Sequence, residues 1–544
     1  MRDGFLTLVD QNIRHLLLVV PELLVTAGFL CGLLVDLALP EERRKTTGYV
    51  CLVFLLAALL VTVVEWNGMV HERPARYLVK RSNPAASAQE RVEVKAVEPR
   101  VIQHEALFSG MVVRDAYGLY FKFVLLLGTL ISLLIALHAR DLAGPNRGEF
   151  FLLLTATCLG GMFLCSATNL LMLYLSLEAL SIISYAMAGY LRQDRKSSEA
   201  GMKYVIYGAM ASGIMIFGMS YVYGLTGSLD LTVVADRWHE LRNSEAGAFA
   251  RGGMLAVLAM VFTGLLYKIA AAPFHYWSPD VYEGAPTTAA AFFSVVPKAA
   301  GFAALVRVLL EFFPQGGVVL PGHSFTKLEW VLCAVAVVTM VVGNLSALGQ
   351  TNAKRMLAYS SIAHVGYMLA GLTALDQGED GYSDGPAAVL YYLLVYLFMN
   401  LGAFLVLVAL ENIRGSCELR DLRGTIRREP LLGVALVIFL FSLTGLPPLA
   451  GFSAKWLIMV KLADRGNWFM ILCVGLNSVV SLYYYMRLAK AVAMDAPEVS
   501  AGPAEPTPPV FGFLAVGKIA ALVLLFVYFK PVMDICRQVI EPLR

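Results

Sequence analysis

Apolar residues recur along this chain in runs of about 20, the length at which a helix crosses a hydrocarbon core of roughly 30 Å. These runs fall at 16–36, 47–66, 116–138, 150–166, 168–191, 203–225, 252–276, 286–312, 329–348, 355–375, 386–410, 431–460, 467–490 and 511–530. The pattern predicts an all-α integral membrane protein of about fourteen transmembrane helices, because lipid offers no partner to an unpaired backbone group. The alternating segments of about ten residues that build a transmembrane barrel are absent. Two runs carry helix breakers. Thr444-Gly445-Leu446-Pro447-Pro448 should divide 431–460 into two half-helices, and Pro273 lies near one end of 252–276. Pro297 lies inside the next run, beside Lys298.

Two stretches depart from the pattern. Residues 67–114 carry eight Lys/Arg, several acidic residues and Ser82-Asn83-Pro84-Ala85-Ala86-Ser87, which reads as a solvated insertion. Residues 497–509 form a Pro/Ala/Glu-rich linker before the last span. Asp3, Asp10 and Arg14 precede the first run without a cleavable signal pattern, so the first span should be retained.

Loop charge orients the chain. Arg43-Arg44-Lys45, Arg192/Arg195/Lys196, Lys354-Arg355 and the cluster from Arg414 to Arg428 share one side, opposite the acidic loop Asp376-Gln377-Gly378-Glu379-Asp380. The positive-inside rule then puts both termini on the non-cytoplasmic side of a multi-pass protein. The 67–114 insertion, basic on the outer side, runs against that rule.

Composition agrees with a membrane chain: 58% hydrophobic and 15% charged over 544 residues, with a mean hydropathy of +0.68. A net charge of +3 gives no case for nucleic-acid binding. The eight cysteines are scattered and form no CxxC pair, which argues against a cluster, a structural zinc or a disulfide framework. Most read as small buried hydrophobes.

The chemistry lies in charges placed where lipid penalises them. An ionised side chain at the bilayer centre costs at least about 2.5–3.5 kcal/mol, so it persists only with a partner or a function. Glu178, Lys268, Lys298 and Lys455 lie near span centres, and His364 lies mid-span. Static ion pairs do not account for them, since one carboxylate cannot neutralise three ammonium groups. At 4 Å and an effective dielectric of about 20, a carboxylate and an ammonium attract by roughly 4 kcal/mol. Separating Glu178 from Lys268 by a few ångströms is therefore enough to free a proton, which Lys298, His364 and Lys455 could carry onward. Histidine suits such a shuttle because it ordinarily titrates near neutrality. Both helix breaks lie close to a mid-membrane lysine, as in transporters whose discontinuous helices bring backbone groups and water to the midplane.

Other charged and aromatic residues read differently. Lys203, at the start of its span, is either a relay member or a snorkelling lysine. Lys354 and Arg355 read as interfacial anchors, as do Lys122, Arg307, Glu311 and Lys518. His275, Asp280 and Glu283 read as a solvated loop rather than a proton intake site. Glu22 should face a polar neighbour, and Tyr483-Tyr484-Tyr485 looks like an interfacial aromatic belt.

Four segments carry a family likeness: YLSLEALSIISYAMAGY (174–190), YKIAAAPFHYWSPDVYEGAPTTAAAFFSVVPKAAGF (267–302), NAKRMLAYSSIAHVGYMLAGL (352–372) and FSLTGLPPLAGFSAKW (441–456). Together they resemble the antiporter-like membrane subunits of respiratory complex I. Within that family, Pro21-Glu22-Leu23-Leu24 and a lysine rather than a glutamate at 455 favour the N-type branch over the L and M types.

The resemblance implies two inverted five-helix repeats, spans 4–8 and 9–13, each with a broken helix. The chain then divides into 1–138, with its 67–114 insertion, the repeats 139–312 and 313–490, and a terminal 491–544 with linker and last span. It also implies that Glu178 and Lys268 form a modulating pair, Lys298 a central relay, Lys455 an exit-side lysine and Lys203 the family's sixth-span lysine. The insertion departs from the family, and nothing transfers to it.

The function implied is proton translocation in a bacterial inner-membrane NADH–quinone oxidoreductase. Flavin mononucleotide, iron–sulfur clusters and quinone would belong to partner subunits. An adjacent antiporter-like subunit and other membrane subunits would be the partners. No dinucleotide fingerprint, cluster motif or haem motif is present, so electron transfer would lie elsewhere. An Mrp-type cation/proton antiporter subunit and a non-pumping structural subunit are the competing readings.

Overall fold

The computed structural model describes residues 15–16, 18–71, 105–142, 146–243, 248–312, 327–375, 384–496 and 508–543. Residues 72–104 of the insertion, the acidic loop 376–380 and nearly all of the 497–509 linker lie outside these residues. Helices occupy every apolar run found in the sequence. They are α1 (Val20–Ala38), α2 (Lys45–His71), α3 (Ala116–Ala136), α4 (Arg147–Ser166), α5 (Leu170–Ala188) and α6 (Arg195–Thr226). Next come α7 (Leu231–Asn243), α8 (Ala248–Ile269), α9 (Trp277–Gly284), α10 (Thr287–Phe312), α11 (Lys327–Leu348), α12 (Ala353–Leu372) and α13 (Asp384–Arg414). The chain continues with α14 (Thr425–Arg428), α15 (Pro430–Thr444), α16 (Ala450–Asp464), α17 (Trp468–Ala493), α18 (Pro509–Val527) and α19 (Phe529–Ile540).

Among the described residues, 11 helices are long and apolar enough to cross a membrane. Burial ranks them. The apolar windows of α10 and α13 are 100% and 89% buried, against 22% for α18, so α10 and α13 form the centre and α18 the rim. A helix buried on all sides is placed to hold polar groups away from lipid. Lys298 is on α10, which packs against α13.

Both expected breaks are present. The first separates α8 from α9: Ala270 takes φ 61°, the Ala272–Pro273 bond is cis, and Ala272 N–H donates to Thr339 Oγ1 at 3.0 Å. The second separates α15 from α16 at Gly445 (φ 90°), with Pro447–Pro448 cis. Gly445 supplies the left-handed conformation that ends α15. Pro297, in contrast, lies inside a continuous α10. At Gly451 an added Cβ would sit 1.7 Å from the Ser442 carbonyl oxygen, so the two half-helices touch backbone to backbone there. Gly451→Ala should force them apart at a cost of about 1–3 kcal/mol, read as a lower thermal stability of the purified complex.

Three elements were hidden from the apolar pattern. Residues 105–114, the end of the insertion, form an antiparallel hairpin, β1 (Glu105–Leu107) with β2 (Val112–Arg114), rather than solvated chain. Leu107 and Val112 pack there with Val19. Helix α7 buries Leu231, Val234 and Trp238, the last edge-on to Phe312. Helix α19 buries Met533, Cys536, Val539 and Ile540, the i, i+3, i+4 stripe of an amphipathic helix too short to span. Six cysteines are buried, while Cys31 is exposed and Cys473 intermediate.

Candidate functional site

Four supposed anchors are buried in the protein. Lys122 is buried and pairs with Glu22 at 2.6 Å, which gives Glu22 its expected polar neighbour. Arg307 is 2% exposed and grips Asp115 with two hydrogen bonds, 2.8 and 3.1 Å. Asp115 also caps α3 by accepting from Gly118 N–H at 2.6 Å. Lys518 is buried and donates to the Leu401 carbonyl at 2.9 Å; its place near the middle of the 511–530 run was the signal for this. Lys354 is buried as well, and donates to the Ala285 carbonyl.

The residues 280 and 283, expected in a solvated loop, lie on α9 in an ion-pair cluster. Asp280 pairs with Lys203 (2.6 Å) and Arg355 (2.8 Å), while Glu283 pairs with Lys196 (3.0 Å) and Arg355 (2.9 Å). Lys203 also meets Glu199 at 2.7 Å and is 37% exposed, so its partners are carboxylates at a helix end. His275 is buried.

The mid-membrane lysines sit in a different setting. Lys268, at the C-terminal end of α8, is 1% exposed and donates to Ser181 Oγ at 3.1 Å, over the Tyr204 ring. Ser181 lies three residues on from Glu178 along α5, nearly one turn. Glu178 is the carboxylate whose charge reaches Lys268, yet the two make no contact within 4.0 Å, and Glu178 Oε1 is buried without a hydrogen-bond partner. Lys268 is thus supported by a serine, with the Glu178 carboxylate near it but beyond ion-pair distance.

Lys298 follows. Its Nζ donates to Ser361 Oγ at 2.7 Å and lies over the Tyr282 ring. The Lys268 stem lies against Gly301, three residues from Lys298, and Trp277 packs between Tyr204 and Tyr282. From Ser361, α12 leads to His364 and Tyr367 at three-residue steps. His364 Nδ1 shares a hydrogen with Tyr392 OH at 2.7 Å, and Nε2 with Tyr485 OH at 3.1 Å. Tyr485 meets Ser360 Oγ in turn.

Lys455 ends the series. Its Nζ donates to the Thr444 carbonyl at 2.8 Å and lies 4.6 Å from the Tyr367 ring centre. Thr444 closes α15, so the lysine satisfies a carbonyl left free at a helix C-terminus, where a cation is also favoured by the helix dipole. His364 lies within reach of both the Lys298 and Lys455 charges. Tyr484 and Tyr485 are fully buried in this network rather than in an interfacial belt; only Tyr483 of the three is exposed. Tyr484 OH donates to Asn344, which reaches Tyr367 OH and Asn477.

Lys268, Lys298, His364 and Lys455 are therefore buried and Glu178 is partly buried, with serine and tyrosine hydroxyls beside them. Such groups both donate and accept, so a line of them can hand on a proton. Among the described residues no group of His, Cys, Asp and Glu is arranged to hold a metal ion.

Residues 167–481 match the family described as NADH:quinone oxidoreductase/Mrp antiporter, transmembrane. NADH-quinone oxidoreductase subunit N of Anaeromyxobacter sp. (strain Fw109-5) is 41% identical over 514 residues, covering 92% of this chain and 92% of that protein. Subunit N 2 from Sorangium cellulosum (strain So ce56) is 40% identical, covering 98% of this chain and 99% of that one. A chain of respiratory complex I from Thermus thermophilus with bound aureothin superimposes with a TM-score of 0.71 at 31% identity, over 94% of this chain and 98% of that one. The matched region contains Glu178, Lys268, Lys298, His364 and Lys455, and on these grounds the chain belongs to the NADH:quinone oxidoreductase/Mrp antiporter membrane family, within its subunit N group.

Proposed function

We propose that this chain translocates protons as a membrane subunit of NADH–quinone oxidoreductase, and that Glu178, Lys268, Lys298, His364 and Lys455 are its relay. The observation that carries this reading is the state of the three lysines. Each is buried, and each rests on a neutral oxygen: Ser181 Oγ, Ser361 Oγ or the Thr444 carbonyl. None is within 4.0 Å of a carboxylate among the described residues. A buried ammonium without a carboxylate loses several kcal/mol of solvation that one neutral hydrogen bond repays only in part. Such a group is suited to losing and regaining a proton, whereas Lys203, held by two carboxylates, serves to tie α6 to α9.

The same reading takes the chain as fourteen spans with two inverted five-helix repeats at 139–312 and 313–490. It is supported by two broken helices that each place a lysine beside the break. Both termini lie on the non-cytoplasmic side of a bacterial inner membrane, with an antiporter-like subunit alongside. Flavin, iron–sulfur and quinone chemistry belongs to partner subunits. Neighbouring genes separate this from the Mrp-type reading: other complex I subunits beside it support ours, a set of small antiporter subunits does not.

In inverted membrane vesicles, Glu178→Ala and Lys268→Ala should each lower the protons moved per electron while the complex still assembles. Parental pumping in both variants would leave the chain a structural subunit.

A further inference from the structure

Polar side chains flank Lys298 on the side toward the Lys/Arg-rich face. At that face the Asp141 carboxylate sits on the N-terminus of α10, accepting from Thr287 N–H at 3.1 Å through Oδ2. An acidic group at a helix N-terminus is favourably placed, but its other oxygen, Oδ1, is buried with no hydrogen-bond partner. Lys354 and Glu411 stand beside it, 3.8 Å apart, and Lys354 Nζ donates to the Ala285 carbonyl just before α10 begins.

Three helix faces run inward from this cluster. On α10, Thr287, Ala291, Ser294 and Lys298 are spaced four, three and four residues apart, one face of a helix about 16 Å long. On α12, Lys354, Ala358 and Ser361 share a face that ends on the same Lys298–Ser361 hydrogen bond. On α13, Tyr396, Asn400 and Glu411 do likewise, and these three helices pack together. Along the way Thr287 Oγ1, Thr288 Oγ1, Ser278 Oγ, Tyr282 OH, Tyr396 OH and both amide atoms of Asn400 are buried without hydrogen-bond partners. All six residues are at most 1% exposed. Buried polar groups without a protein partner are what ordered water satisfies.

We propose that Asp141 is the proton-accepting mouth of a hydrated branch that delivers protons from the Lys/Arg-rich face to Lys298. This rests on the relay reading above and adds an intake to it. Burial and the neighbouring Glu411 carboxylate push the Asp141 carboxyl up from the ordinary carboxylate range to about 6, against the opposing pull of Lys354 and two backbone N–H groups. Lys354, Glu411, Cys417 and Arg147 are the charged or titratable groups that face it. A group that titrates there exchanges protons with water near neutrality, where an ordinary aspartate stays ionised.

Two measurements on the assembled complex in inverted vesicles test this. Asp141→Asn should slow proton transfer through this chain by about 100-fold, the low end for loss of a positioned proton-transfer group. Thr288→Cys, in a Cys417→Ala background, should be modified by a small cationic methanethiosulfonate, read as a mass shift of the peptide carrying residue 288. Parental pumping in Asp141→Asn overturns the assignment of Asp141, and an unmodified residue 288 overturns the hydrated branch. Lys298→Ala separates the two readings. If it pumps normally the relay itself is lost; if it stops pumping while Asp141→Asn does not, only the branch is lost.

Discussion

Replacing Arg307 by alanine is expected to remove most of this subunit from the assembled complex. The guanidinium holds both oxygens of Asp115, donates to the Cys165 carbonyl at 3.0 Å and lies over the Tyr117 ring, so it ties α10 to α3 and α4 at once. Its removal strands a buried carboxylate, a loss of about 3–5 kcal/mol in pairs of this kind. That is a large fraction of the stability of a typical folded domain, about 5–15 kcal/mol. The double variant Asp115→Asn with Arg307→Met should recover much of the loss. Asparagine still accepts from Gly118 N–H, and no charge is left unpaired. Subunit content of the purified complex and its thermal unfolding midpoint check both variants. A single variant as abundant and stable as the parent contradicts the structural role.

That pair shows where sequence reading stops. Arg307 and Asp115 are 192 residues apart, and no local pattern couples them. Each is near the end of an apolar run, where a charge without a visible partner looks like an anchor. Lys122 misled for the same reason. The spans were legible because lipid leaves a long apolar run no alternative to helix. The break at 445–448 was legible because glycine and proline leave the helix few alternatives there. Lys268, Lys298 and Lys455 stood out because a mid-span charge is costly. What supports them was not legible. Ser181 and Ser361 resemble other serines of membrane helices, many of which simply bond back to a carbonyl one turn earlier, as Ser184 does to Leu180. Only packing shows that two of them hold lysines. The Tyr484–Tyr485 pair read as a belt because aromatic runs at span ends usually are one. Their bonds to Asn344 and Ser360 place them inside.

The second large effect belongs to Lys298. It is the point at which the Lys268 side, the His364–Lys455 side and the proposed branch from Asp141 converge. Lys298→Ala removes the only ammonium that touches Ser361 among the described residues, and proton transfer through the chain should slow by about 100-fold or more. In the proposed relay His364 follows Lys298 on the same route, so adding His364→Ala should cause little further loss. Residues that work as a unit are not additive. Losses that multiply would mean two independent routes, and the single line described here would be wrong.

The most direct test of the account is the number of protons moved per electron in the assembled complex carrying Lys298→Ala, with subunit content verified. The account predicts that electron transfer continues while this ratio falls below the parental value. An unchanged ratio would contradict it.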